Sequence, residues 1–247
     1  MKLRFLLAVL AMPLTAQWLH YPTPGIPRTA GGKPNLSAPA PKMPDGTPDL
    51  SGIWEHKNSR TTAHYLDGID IPWQPWAKKL FEQRTEDNQL DNPESRCLPR
   101  GTPKADAFDI HKIVQFPGLV VILYEYQTSF RQIFTDGRAL PQDPNPTWMG
   151  YSTGHWEGDT LVVQSNGFNG KAWISGRGNP ITDALRLTER IRRRDFGHMD
   201  IDITFDDPKA YTKPWTAHLH PELLPDTELL ESFCNENERD LQHLVGK

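Results

Sequence analysis

Between residues 185 and 220 the pattern of side chains restricts the fold more tightly than anywhere else in the chain. LRLTERIRR is followed by the turn DFG, the run HMDIDITF, the turn DDPKA and the run YTKPWTAHLH. Apolar residues alternate through Met199, Ile201, Ile203 and Phe205, and again through Trp215, Ala217 and Leu219. Strict alternation marks strands with one buried and one solvated face, and a slip of one residue would expose the whole apolar set. Centring the first turn on residues 194–197 pairs Arg192 with His198, Arg190 with Asp200 and Thr188 with Asp202. Centring the second pairs Ile203 with Trp215, Ile201 with Ala217 and Met199 with Leu219.

The same punctuation runs back to residue 110. HKIVQF meets LVVILYEYQ across Pro117-Gly118, SFRQIF closes at Asp136-Gly137, and MGYSTGHW and TLVVQSN flank Glu157-Gly158-Asp159. LSGIWE supplies a first strand and LLESFC a last one. One helix is expected from Pro75 to Asn88, with Trp76, Leu80 and Phe81 as its apolar stripe. Short strands in sequence order with almost no helices between them indicate an antiparallel meander. Nine or ten strands escape exposed edges by closing, so the expected fold is all-β, an antiparallel up-and-down barrel with one flanking helix.

The first sixteen residues, MKLRFLLAVLAMPLTA, have the form of a secretory signal: two basic residues, a short apolar run and a small residue at Ala16. The apolar run is shorter than the ~20 residues a membrane-spanning helix needs, and no later run is long enough. Residues 17–49 carry eight prolines and are expected to lie extended over the surface. Residues 50–240 then form a single barrel domain and 241–247 a tail. Loss of Lys2 and Arg4 with the signal takes the formal charge from −4 to −6. A net acidic domain without a basic block argues against nucleic acid as a partner. Two cysteines far apart in sequence, Cys97 and Cys234, are expected to form a disulfide in an exported protein.

Gly52-Ile53-Trp54 at the start of such a meander resembles the Gly-x-Trp that opens lipocalins and related calycin barrels. In that family the tryptophan packs across the closed end, an arginine from the last strands covers it, and the open end holds a small apolar ligand. The resemblance implies a calycin/lipocalin-like barrel and a small-molecule partner. A longer set of segments is similar to a group of uncharacterised exported bacterial proteins: TPDLSGIW, RCLPRGTP, YEYQTSFRQIFTDGR, GHWEGDTLVV, DDPKAYTKPWT and ELLESFCNENERD. This second resemblance implies export and a shared fold, and carries no catalytic role.

Three groups of residues are candidates for function. Tyr124, Tyr126, Trp148, Tyr151, Trp156 and Trp173 cluster around the expected mouth, and an aromatic cleft with few polar groups is the usual form of a small-molecule site. Glu189, between Leu187 and Ile191 on the apolar face, points into the barrel; Glu231 in the last strand points in at a similar level. Buried carboxylates are costly unless paired, and two of them suit general acid/base work. The competing role for Glu189 is structural, paired with a cation that reaches in. His198, His218 and His220 share the polar face with Asp200; three converging imidazoles suit zinc, and the competing role is a solvated face of cross-strand pairs. No nucleotide-binding or hydrolase motif names a cofactor, which stays unknown. The leading expectation is an exported barrel that binds a small apolar or aromatic molecule. The alternative is an exported hydrolase or lyase built on Glu189 and Glu231 or on the three histidines.

Overall fold

In a computed structural model, residues 22–56 and 64–236 are described. The signal segment 1–16, residues 17–21 of the leader and the tail 241–247 lie outside them. Ten strands form one sheet: β1 Gly52–His56, β2 His111–Phe116, β3 Leu119–Tyr124, β4 Phe130–Phe134, β5 Tyr151–Glu157, β6 Thr160–Asn166, β7 Arg186–Arg193, β8 Met199–Asp206, β9 Trp215–Leu219 and β10 Pro221–Leu223. Their order is β10-β1-β2-β3-β4-β5-β6-β7-β8-β9. After β9 pairs with β8, the chain bends at His220 and continues as β10 beside β1. This bent strand all but closes the barrel. Inward residues of every wall meet in one core that includes Trp54, Ile133, Leu161, Leu187, Ile203 and Phe205.

All neighbouring pairs are antiparallel except one. β4 and β5 run parallel and share only the pairs Ile133↔Ser152 and Phe134↔Thr153. The reason lies in residues 135–150, a loop carrying Pro141, Pro144 and Pro146, which crosses back before β5 begins. A parallel neighbour requires such a crossover, where an antiparallel one needs only a turn.

The two hairpins of residues 185–220 are present with each register two residues from the expected one. Arg192 faces Asp200 and Arg190 faces Asp202; Ile203 faces Ala217 and Phe205 faces Trp215. Phe205 and Trp215 stack with ring centroids 4.3 Å apart. A shift of two preserves which face each side chain occupies, and only the rows change. The first turn is longer than expected because the leader holds it: Phe196 N donates to Ala38 O and Gly197 N to Leu36 O. The last strand also differs, since Pro221–Leu223 closes the barrel and LLESFC lies outside it, attached through the Tyr126↔Ser232 bridge and the Cys97–Cys234 disulfide.

Gly52 and Trp54 fit one another for a steric reason. At φ +146°, a Cβ on Gly52 would lie 2.5 Å from the Leu223 side chain and 3.3 Å from the Trp54 indole nitrogen. Trp54 is fully buried and donates to Leu50 O at 3.0 Å. The guanidinium over its ring is that of Arg193, 4.9 Å away, at the end of β7. Within the Arg192-Arg193-Arg194 run, alternation turns the middle residue inward, where it donates to Asp49 O and Ser51 O.

The opposite end of the barrel is filled. Helix α1, Pro75–Glu86, packs Ala77, Leu80, Phe81 and Arg84 inward, with Trp76 exposed rather than in the stripe. Helix α2, Lys104–Phe108, is a single short helix that would not persist alone. Side chains anchor it: Lys104 and Arg100 both bind Glu94, and Arg100 binds Asp109. The segment 167–184 is not an open rim. Phe168, Trp173, Ile174 and Ile181 are buried beneath it, and Tyr65 donates to Ile174 O at 2.6 Å. The Cys97–Cys234 disulfide ties the loop ahead of α2 to the chain after β10.

Candidate functional site

The interruption between β4 and β5 opens a cleft of about 470 Å³ in the barrel wall. Strand pairing stops at Ile133↔Ser152, so Phe130–Gln132 have no strand neighbour on that side among the described residues. Gly150, at φ +67°, turns the other lip away; a Cβ there would lie 2.7 Å from the Phe168 ring and 2.8 Å from Asn166 O. The apolar walls are Pro99, Phe130, Phe134, Trp148, Met149 and Tyr151. Phe130 is 59% exposed, a large aromatic ring left at the rim. Phe134 and Tyr151 stack across the seam at 5.3 Å, with Arg138 3.9 Å above the Phe134 ring.

Arg131 and Ser152 form the floor, and both belong to a buried polar cluster inside the barrel. Arg131 Nε donates to Ser152 Oγ at 3.1 Å, Nη1 to Glu189 Oε1 at 3.0 Å, and Nη2 to Ser165 Oγ at 3.0 Å and to Glu189 Oε2. Asp106 of α2 stands 3.5 Å from Arg131 Nη1 and accepts from the Tyr124 hydroxyl at 2.6 Å. Burial raises the Glu189 carboxyl above the usual range, and Arg131 only partly offsets this. The same holds for Asp106, offset by Arg131 and then by Tyr124. Burial opposes the charge on Arg131, yet Glu189 outweighs it and its pKa lies above the ordinary value. Next to the cluster, burial lowers His111 to about 4, so its imidazole is neutral at pH 7.

Of the six aromatic candidates, Trp148 and Tyr151 line the cleft. Tyr124 is inside the barrel on Asp106, and Tyr126 carries Arg100 over its ring at 4.2 Å. Trp173 is buried with Arg84 stacked on it at 4.3 Å. Trp156 borders a separate cleft with Met43 and Phe116.

Glu189 and Glu231 are not brought together. The first is inside the barrel on Arg131, and the second is exposed after β10. The three histidines do not converge either: with the register shifted by two, each pairs with its own carboxylate. His198 binds Asp195 in the turn, His218 binds Asp202 and His220 binds Asp200, at 2.6, 2.7 and 2.8 Å. His218 and His220 are exposed on the outer face, and no group of three His, Cys, Asp or Glu that could hold a metal exists among the described residues.

Comparison with protein-family models, curated proteins and solved structures found no match to this chain.

Sequence reasoning did not single out Arg131, Asp106, Ser152 or Ser165. One signal for Arg131 was present. In FRQIF, Ile133 is the inward residue, and Arg131 shares its parity. An inward Glu189 calls for an inward cation, and Arg131 is that cation.

Proposed function

We propose that this chain is an exported barrel that binds a small molecule with a flat apolar or aromatic body in the cleft between β4 and β5. The observation that carries this reading is the break in the wall itself: pairing gives way to a concave surface of aromatic side chains with two polar residues at its base. A pocket of a few hundred cubic ångströms, mostly apolar with few polar groups, is the usual form of a ligand site. Phe130, one of six large hydrophobic residues exposed among the described residues, is the one that stands at this rim beside Phe134, Trp148 and Tyr151. Export is supported by the form of residues 1–16 and by the Cys97–Cys234 disulfide, a bond that persists in oxidising compartments. No helix among the described residues is long and apolar enough to cross a membrane.

Titration with Nile red, a neutral planar dye, tests the site. Wild-type protein should bind it with micromolar affinity; Phe130→Ala, at the exposed rim, should weaken binding about tenfold while its unfolding curve stays unchanged, and Trp148→Ala should weaken binding with some loss of stability because Trp148 packs against the core. Equal binding by wild type and both variants would refute the assignment. Amino-terminal sequencing of protein recovered outside the cytoplasm should begin after Ala16; material retaining Met1 would refute export.

A further inference from the structure

The floor of the cleft has a hydrogen-bond inventory that does not close. Arg131 has five N–H groups. Four are bound by Ser152, Ser165 and both oxygens of Glu189; the fifth makes no hydrogen bond among the described residues, although Asp106 Oδ2 stands 3.5 Å from Nη1 as an ion-pair partner. Four of its five donors are therefore taken by groups inside the barrel. Ser152 and Ser165 each accept one of those hydrogens, and their hydroxyls lie 2.8 Å apart. Two hydroxyls carry two hydrogens, and the bond between them uses one. No other partner of either hydroxyl occurs among the described residues. When Ser165 donates to Ser152, the remaining hydrogen is on Ser152, and Ser152 is the one of the pair that borders the cleft.

We infer that the ligand is a neutral aromatic or apolar molecule with a hydrogen-bond acceptor, such as a ketone, lactone or ether oxygen, that takes the spare Ser152 hydrogen. This rests on the reading of the cleft as the binding site and names the chemistry of its occupant. Charge argues the same way. One guanidinium stands among two carboxylates, Glu189 and Asp106, and no second cation pairs with either of them among the described residues. An anionic ligand would enter beside an already acidic floor whose one guanidinium is already held by Glu189 and Asp106. The arginine that looks like an anion receptor is spent on holding the serines and the two walls.

The test compares three naphthalene dyes by fluorescence titration. These are Prodan, a neutral aminonaphthyl ketone; dimethylaminonaphthalene, which lacks the carbonyl; and anilinonaphthalene sulfonate, an anion. Wild-type protein should bind Prodan at least tenfold more tightly than the sulfonate. Ser152→Ala should weaken Prodan binding roughly three- to tenfold, the worth of one hydrogen bond, and leave the carbonyl-free dye unchanged. Ser165→Ala removes an equivalent buried bond to Arg131 but does not border the cleft, so it should keep the preference for Prodan. Sulfonate binding equal to Prodan in the wild type would overturn the inference without recourse to any variant, as would equal loss in both serine variants. If Prodan and the carbonyl-free dye bind equally well and Ser152→Ala changes neither, the cleft remains a site and this inference alone falls. If no dye binds the wild type, the site itself is wrong and the inference goes with it.

Discussion

Replacing Arg131 by Met is the sharpest test of how the barrel interior is held. The side chain is buried with Glu189, and its removal deletes four hydrogen bonds at once. It also leaves Glu189 and Asp106 without their shared cation. Breaking one partner of a buried ion pair costs about 3–5 kcal/mol, because the other charge stays desolvated. At pH 7 the variant should lose about that amount in urea unfolding with the disulfide intact. The sign of the pH dependence follows from the two carboxyls. Burial already raises both in the wild type, and loss of Arg131 raises them further. A carboxyl whose folded pKa exceeds its unfolded one binds its proton more tightly when folded, so its contribution is largest at low pH and declines as pH rises toward the folded value. The deficit of Arg131→Met should therefore shrink as pH falls from 7 toward about 4.3, by at most about 1.4 kcal/mol per pH unit for each group. Glu189→Gln keeps the shape, keeps an acceptor for Arg131 and leaves Asp106 as its counter-charge, so it should cost less than Arg131→Met. A loss below about 1 kcal/mol for Arg131→Met, or a deficit that grows on acidification, would refute this account of the cluster.

Three other perturbations follow from the same structure. Reduction of Cys97–Cys234, which spans 137 residues of sequence, should cost on the order of 5 kcal/mol in the chain-entropy model, read as a lower urea midpoint; an unchanged midpoint would mean the reduced chain keeps its ends together by other means. His111 is buried and lowered by burial to about 4, so it contributes stability that is complete above pH 6.5 and lost as pH falls from there through 4, roughly 3 kcal/mol in all. His111→Phe should flatten that part of the acid-unfolding profile, and an unaltered profile would count against it. Arg193→Met should lose about 2–3 kcal/mol through its bonds to Asp49 O and Ser51 O and its place over Trp54, measured by urea unfolding, whereas a solvated corner residue would lose under 0.5.

What could be read in the sequence was local and periodic. Alternation in residues 185–220 gave every side chain its correct face, because parity survives a two-residue shift. The rows did not survive it. The turn at 194–198 is set by Leu36 and Ala38 from the distant leader, and no local pattern encodes that contact. The three histidines followed the rows, so the metal cluster dissolved into three separate His–Asp pairs. Glu189 was legible as inward because Leu187 and Ile191 flank it. Its partner was harder to find, since Arg131 lies between two outward phenylalanines that mask the inward parity. Asp106 was out of reach, being on a five-residue helix held by Glu94, Lys104 and the disulfide-tied loop rather than by its own propensity.

The cleft exposes the deeper limit. A chain of β-hairpins predicts antiparallel neighbours throughout, and each junction from β1 to β4 and from β5 to β9 obeys. The one exception follows the proline-bearing loop 135–150, whose return path decides whether β5 runs with β4 or against it. An antiparallel β5 would have zipped along Phe130–Gln132 and closed the wall over Arg131 and Ser152. The parallel arrival pairs only two residues and leaves the wall open where the polar cluster lies. The candidate site thus depends on a choice of strand direction, and the six aromatic residues chosen for their chemistry divide accordingly. Trp148 and Tyr151 belong to the loop and strand that form the opening, whereas Tyr124 and Trp173 are buried, Tyr126 lies under Arg100 and Trp156 borders a separate cleft.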